Sequence, residues 1–97
     1  MAEYNPVKIE EYQLMLMKNP RSLVFAALAE AYRKMGLLDE ALEVTRKGLQ
    51  HNPKYVSGLV AHAMVLFELK NYRGAMEALQ KAKSYNPQNI LAIKLLG

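Results

Sequence analysis

Cysteine is absent from this chain of 97 residues. No disulfide, thiolate nucleophile or cysteine-based metal site can therefore exist. Aspartate occurs once, at Asp39, and histidine twice, at His51 and His62. The histidines fall in different helical segments and lack Cys or carboxylate companions, which argues against a metal site. Glu10/Glu11 and Glu40/Glu43 read as solvated helix faces. The five glycines are scattered and form neither GxGxxG nor GxxxxGK, so a phosphate-cradling loop is missing. Function must be argued from a site, and without converging groups the expectation is a non-enzyme with no catalytic residue, metal or cofactor. No segment approaches the ~20 apolar residues of a membrane span. The start, MAEYNPVKIEEYQ, lacks the basic opening and continuous apolar stretch of a secretory signal. Read from Met1, this predicts a soluble, cytoplasmic protein with no membrane partner.

What is present suits a small globular domain. Apolar residues make up 52% of the chain, enough for a real core. The formal charge is +4, but Lys and Arg are spread along the whole length. Nucleic-acid binders concentrate such charge on one face. Binding through Arg33, Lys34, Lys70 and Arg73 is therefore the weakest functional reading, and steep salt dependence would identify it.

Every proline follows an asparagine: Asn5-Pro6, Asn19-Pro20, Asn52-Pro53 and Asn86-Pro87. Proline cannot sit inside a helix and drives its predecessor out of helical conformation, while asparagine tolerates turns. Each pair therefore separates helices, and the near-equal steps from Pro20 to Pro53 and Pro53 to Pro87 announce a repeat. Between them, Phe25, Leu28, Ala29 and Tyr32 lie at the spacing of one helix face. Gly36 supplies a left-handed cap, and Asp39-Glu40 favour the positive end of the next helix. That helix buries Leu38, Ala41, Leu42, Thr45, Gly48 and Leu49 and closes at His51. The plan recurs with Leu59, His62, Ala63 and Leu66, a turn at Lys70-Asn71, then Tyr72, Ala75, Met76, Leu79 and Ala82. Small residues recur in register, Ala29 with Ala63 and Ala41 with Ala75, as close helix crossings require. His62 falls on the core-facing stripe and reads as a satisfied core histidine.

This pattern resembles the tetratricopeptide repeat family, whose unit of about 34 residues pairs two antiparallel helices. Phe25, Leu28-Ala29, Tyr32, Gly36, Ala41 and Pro53 occupy the family slots in residues 22–55. Leu59, Ala63, Leu66, Tyr72, Ala75, Leu79, Ala82 and Pro87 match in character in residues 56–89. Thr45 departs from a usual aromatic and His62 from a usual leucine. Residues 90–97 resemble the start of a third unit, with Ile93 and Leu96-Gly97 in family slots. The segment 6–18 resembles a lone second-type helix, carrying Ile9, Tyr12, Met15 and Leu16 as a cap. The resemblance implies one all-α domain of stacked antiparallel helix pairs in a right-handed superhelical solenoid.

The resemblance also implies a concave groove lined by the first helix of each unit. Carried over residue by residue, its walls are Leu23, Ala26, Ala27, Glu30, Arg33 and Lys34, then Ser57, Val60, Ala61, Met64, Phe67 and Glu68. Leu91, Lys94 and Leu95 would begin a third row. Family members that grip a partner's C-terminal carboxylate use a Lys, Asn and Arg clamp. Here Ala26, Glu30 and Ala61 stand where those groups are expected, and only Lys94 is suitable. An apolar or amphipathic partner helix is favoured instead, with Met64 and Phe67 as adaptable anchors. Val60, Met64 and Phe67 can equally be covered by the chain's own elements. Two functional classes stay open: a scaffold or adaptor for a partner protein, and a structural segment of a larger array or homodimer.

The last residues, Ile90, Leu91, Ala92, Ile93, Lys94, Leu95, Leu96 and Gly97, are apolar almost all round. Repeat arrays need polar terminal faces. The expectation is a fragment of a longer array that self-associates as a dimer through Ile90, Leu91, Ile93, Leu95 and Leu96.

Overall fold

Asparagine–proline pairs and two left-handed turns set the element boundaries. The computed structural model describes residues 6–87 and contains α1 (Pro6–Lys18), α2 (Phe25–Lys34), α3 (Leu38–His51), α4 (Val56–Glu68) and α5 (Tyr72–Tyr85). Among the described residues there is no strand. Pro6 opens α1, where its missing N–H costs no hydrogen bond. Asn52 and Asn86 are the residues at which α3 and α5 end. Asn52 also ties one turn to another, its Nδ2 donating to the Arg21 carbonyl at 2.9 Å.

Both hairpins turn the same way. After α2, Gly36 takes φ 79°; the Leu37 amide donates to Tyr32 O at 2.9 Å and the Gly36 amide to Arg33 O at 3.0 Å. After α4 the same two bonds recur from Asn71 to Leu66 O at 2.8 Å and from Lys70 to Phe67 O at 3.0 Å. Lys70 holds φ 66° there, a conformation in which its Cβ is unfavourable and glycine is not. The Asn71 side chain then accepts the Gly74 amide at 3.0 Å and caps α5.

Helices α2 and α3 form one hairpin and α4 and α5 the next, while α4 also packs against both α2 and α3, and α1 leans on α2. The hairpins stack as the helical solenoid expected of the repeat pattern. Small residues permit the close crossings: Ala29, Ala41 and Val65 form one wholly buried cluster. A larger cluster joins Leu59, Val60, Ala63 and Leu66 of α4 to Ala75, Ala78, Leu79 and Ala82 of α5.

The Phe25 ring locks the hairpins together. It is 1% exposed and lies in a slot floored by Gly48 of α3 and Gly58 of α4, where a methyl on either glycine would overlap the ring. Tyr55 meets it edge-on at 5.8 Å between centroids. The second hairpin has Leu59 in the place of Phe25 and Ala82 in the place of Gly48. The larger ring is matched by the smaller neighbour.

Several expected core positions stand differently. Tyr72 and Met76 are largely exposed, whereas Ala78 is buried, because α5 turns its alanine side into α4 and leaves the other two at the rim of an open hollow. In α1, Ile9 is buried and Tyr12 and Leu16 are half-buried, but Met15 is exposed, as are Leu14 and Met17. This helix contacts chiefly α2 and can bury only one narrow stripe.

Candidate functional site

The expected groove residues fall into three groups. Leu23, Ala27, Lys34, Ser57, Phe67 and Glu68 are exposed, with Phe67 at 62%. Ala26, Glu30, Arg33, Ala61 and Met64 are half-buried. Val60 is a correction: it is 5% exposed and belongs to the α4–α5 core. Helix α4 is apolar over too wide an arc for one face, so Leu59 and Val60 are buried on one side while Val65 packs with Ala29 and Ala41. Leu91 and Lys94 of the expected groove lie outside the described residues. So do Ile90, Ile93, Leu95 and Leu96 of the expected self-association surface, which shares Leu91 and Leu95 with the expected groove.

The polar residues of the expected groove form an ion-pair network that the pattern of apolar residues does not reveal. Arg33 donates from Nε to Glu30 Oε1 and from Nη1 to Glu68 Oε1, each at 2.6 Å. The first bond lies within α2; the second crosses to α4 and braces the two helices against each other. The hydrogen bond to Glu30, assisted by that to Glu68, holds the guanidinium above its ordinary range despite partial burial. Spacing on α2 makes the Glu30–Arg33 pair readable in sequence. The link to Glu68 needs the stacking of the hairpins.

Beside this network lies an apolar hollow of about 170 Å³, lined by Ala63, Met64, Phe67, Glu68, Tyr72, Ala75, Met76 and Leu79. Phe67 and Tyr72 meet edge-on at 5.2 Å on its rim. Its volume lies below the ~300 Å³ at which small-molecule sites begin and suits an inserted side chain. A roomier cleft of about 550 Å³ separates α1 from the first hairpin and is floored by Phe25 and Leu28.

The two departures from the repeat pattern prove to be partners. Thr45 is wholly buried, and its hydroxyl lies 2.7 Å from His62 Nδ1 and 3.0 Å from the Leu42 carbonyl. One hydroxyl proton serves both contacts when Thr45 donates to Leu42 and accepts from the Nδ1–H of neutral imidazole. Burial, then the charges of Arg46 on α3 and Lys81 on α5, pushes His62 below its ordinary value near 6.5. A neutral histidine is favoured by folding, so the stabilisation is complete above the unfolded pKa and is lost as pH falls through the lowered folded one. The urea midpoint should be flat above about pH 6.5 and drop below it; His62→Leu should remove the part of that drop due to this residue. An unchanged pH profile in the variant would refute this role.

Among the described residues, no group of three or more His, Asp or Glu side chains could hold a metal ion, and no helix is long and apolar enough to cross a membrane. Residues 24–55 and 56–89 each match the sequence profile of the tetratricopeptide repeat. The Hsp70-Hsp90 organizing protein of Triticum aestivum is 31% identical over 85 residues, which cover 87% of this chain and 15% of that protein. Hsp70-Hsp90 organizing protein 3 of Arabidopsis thaliana is 27% identical over the same shares. The BBSome complex member BBS4 of Bos taurus is 28% identical over 79 residues, covering 81% of this chain and 15% of that protein. The chain thus spans about 15% of the length of these relatives.

Proposed function

Because this chain belongs to the tetratricopeptide repeat family, we propose that it is a protein-interaction adaptor without enzymatic activity, seating an amphipathic helix of a partner protein in its concave groove. The observation that carries this reading is the pairing of the apolar hollow with the ion-pair network beside it. Met64, Phe67, Tyr72 and Met76 offer an adaptable apolar seat. Arg33 is already committed to Glu30 and Glu68, and neither Ala26 nor Ala61 can donate to a terminal carboxylate from its side chain. A partner's C-terminal carboxylate would meet glutamates where clamp donors are needed. The names of the relatives, an Hsp70-Hsp90 organizing protein and a member of a complex, accord with a role in joining proteins. The proposal places the chain in the cytoplasm.

Phe67→Glu combined with Met76→Glu should abolish capture of an amphipathic helical peptide and leave far-ultraviolet circular dichroism intact. Both side chains are substantially exposed, and exposed substitutions usually change stability by only about 0.5 kcal/mol. Unchanged binding in this variant would eliminate the hollow as the seat.

A further inference from the structure

Charge at the edge of the hollow narrows the class of partner. Apart from Glu68, every side chain lining it is uncharged, and no lysine or arginine is among them. Glu68 uses one oxygen for Arg33, which it shares with Glu30. Two carboxylates thus divide one cation. Among the described residues no second Lys or Arg pairs with either of them; Lys34, the remaining groove cation on α2, forms no such bridge. The chain as a whole carries +4, yet the lining of the hollow holds one carboxylate and no cation, and that carboxylate has only a shared claim on Arg33.

Resting on the groove reading above, we propose that the hollow selects a partner helix whose apolar anchor is accompanied, one helical turn away, by a lysine or arginine. The anchor fills the space between Met64, Phe67, Tyr72 and Met76. The cation reaches Glu68 and completes the neutralisation that Arg33 begins. Residues three or four apart share a helix face, so one amphipathic helix can present both groups. A partner with glutamate at that position would face Glu68 and Glu30 and be rejected, since like charges across an interface oppose binding.

The probe is a labelled amphipathic peptide with leucine anchors and one lysine a turn away, compared with versions carrying glutamine or glutamate in place of the lysine. Fluorescence anisotropy with the full chain should give the order lysine, glutamine, glutamate. Lysine should exceed glutamine by roughly three- to fivefold at low salt, as for a partly exposed ion pair, and by less as salt rises. Glu68→Gln should erase that preference. Glu68→Lys should reverse it in favour of the glutamate peptide, an exchange that a merely structural role for Glu68 cannot produce. Arg33 keeps Glu30 in both variants, and circular dichroism confirms that the helices persist. Equal binding of all three peptides to the unmodified chain would overturn the charge selection while leaving the groove reading standing. Binding of none of them would overturn both. Peptide binding that is lost as the chain becomes dimeric at high concentration would assign the hollow to a second copy and likewise overturn the proposal.

Discussion

Phe25→Ala is expected to remove about 3–5 kcal/mol of stability and to leave much of the chain unfolded at physiological temperature. Domains of this kind have about 5–15 kcal/mol in total, and short chains bury too little surface to be at the upper end. The ring is buried between Gly48 and Gly58, which carry no side chains that could collapse into the void. The cost should therefore approach the upper end of the range for aromatic truncations. Because Phe25 joins α2 to both α3 and α4, the loss should appear as a single cooperative transition at lower urea concentration. A midpoint within experimental error of the parent would mean that the ring is not a structural key.

Gly48→Ala should destabilise the chain even though alanine is the better helix former. In an exposed helix the exchange would gain about 1 kcal/mol. Here the new methyl overlaps the root of the Phe25 ring, and a ring held between two backbones cannot swing aside. Overpacking costs about 1–3 kcal/mol, so a net loss of up to about 2 kcal/mol is expected, at roughly 4–8 °C in Tm per kcal/mol. The same substitution in a Phe25→Leu background should be neutral or stabilising, because the second hairpin already combines Leu59 with Ala82. Additivity of the two substitutions in a double-mutant cycle would contradict direct contact.

How far the sequence predicts this molecule depends on which distances matter. Helix boundaries were readable because Asn-Pro pairs and Gly36 act on their own neighbours. The recurrence of the plan gives a turn at Lys70-Asn71 but not its left-handed conformation, for which lysine carries no signal. Thr45 and His62 each read as an isolated departure from the repeat; their hydrogen bond depends on the stacking of α3 on α4. Gly48 was visible as a buried position and Gly58 was not, because a glycine in a helix does not declare which side chain fills the space it leaves. Val60 is a different case. The sequence leaves it open between the groove wall and cover by the chain's own elements, and the second holds, because α4 is an inner helix with few faces to spare. Phe67 and Met64 enter as groove candidates only through the family resemblance, whereas the bond from Arg33 to Glu68 joins residues 35 apart in the chain.

The glycine slot also decides what may follow what. Phe25 belongs to the first unit, but half of its seat, Gly58, belongs to the second. The residue of the first unit in register with Gly58 is Val24. A tandem duplication of residues 22–55 would bring the second copy's valine beneath the first copy's phenylalanine, where even a methyl does not fit. The two units are therefore not interchangeable tiles: the order first-then-second is written into one ring and one missing side chain. Lengthening this array by copying its first unit would require a glycine at that position in each added copy, whereas copying the second, with its leucine, places no such demand on its successor.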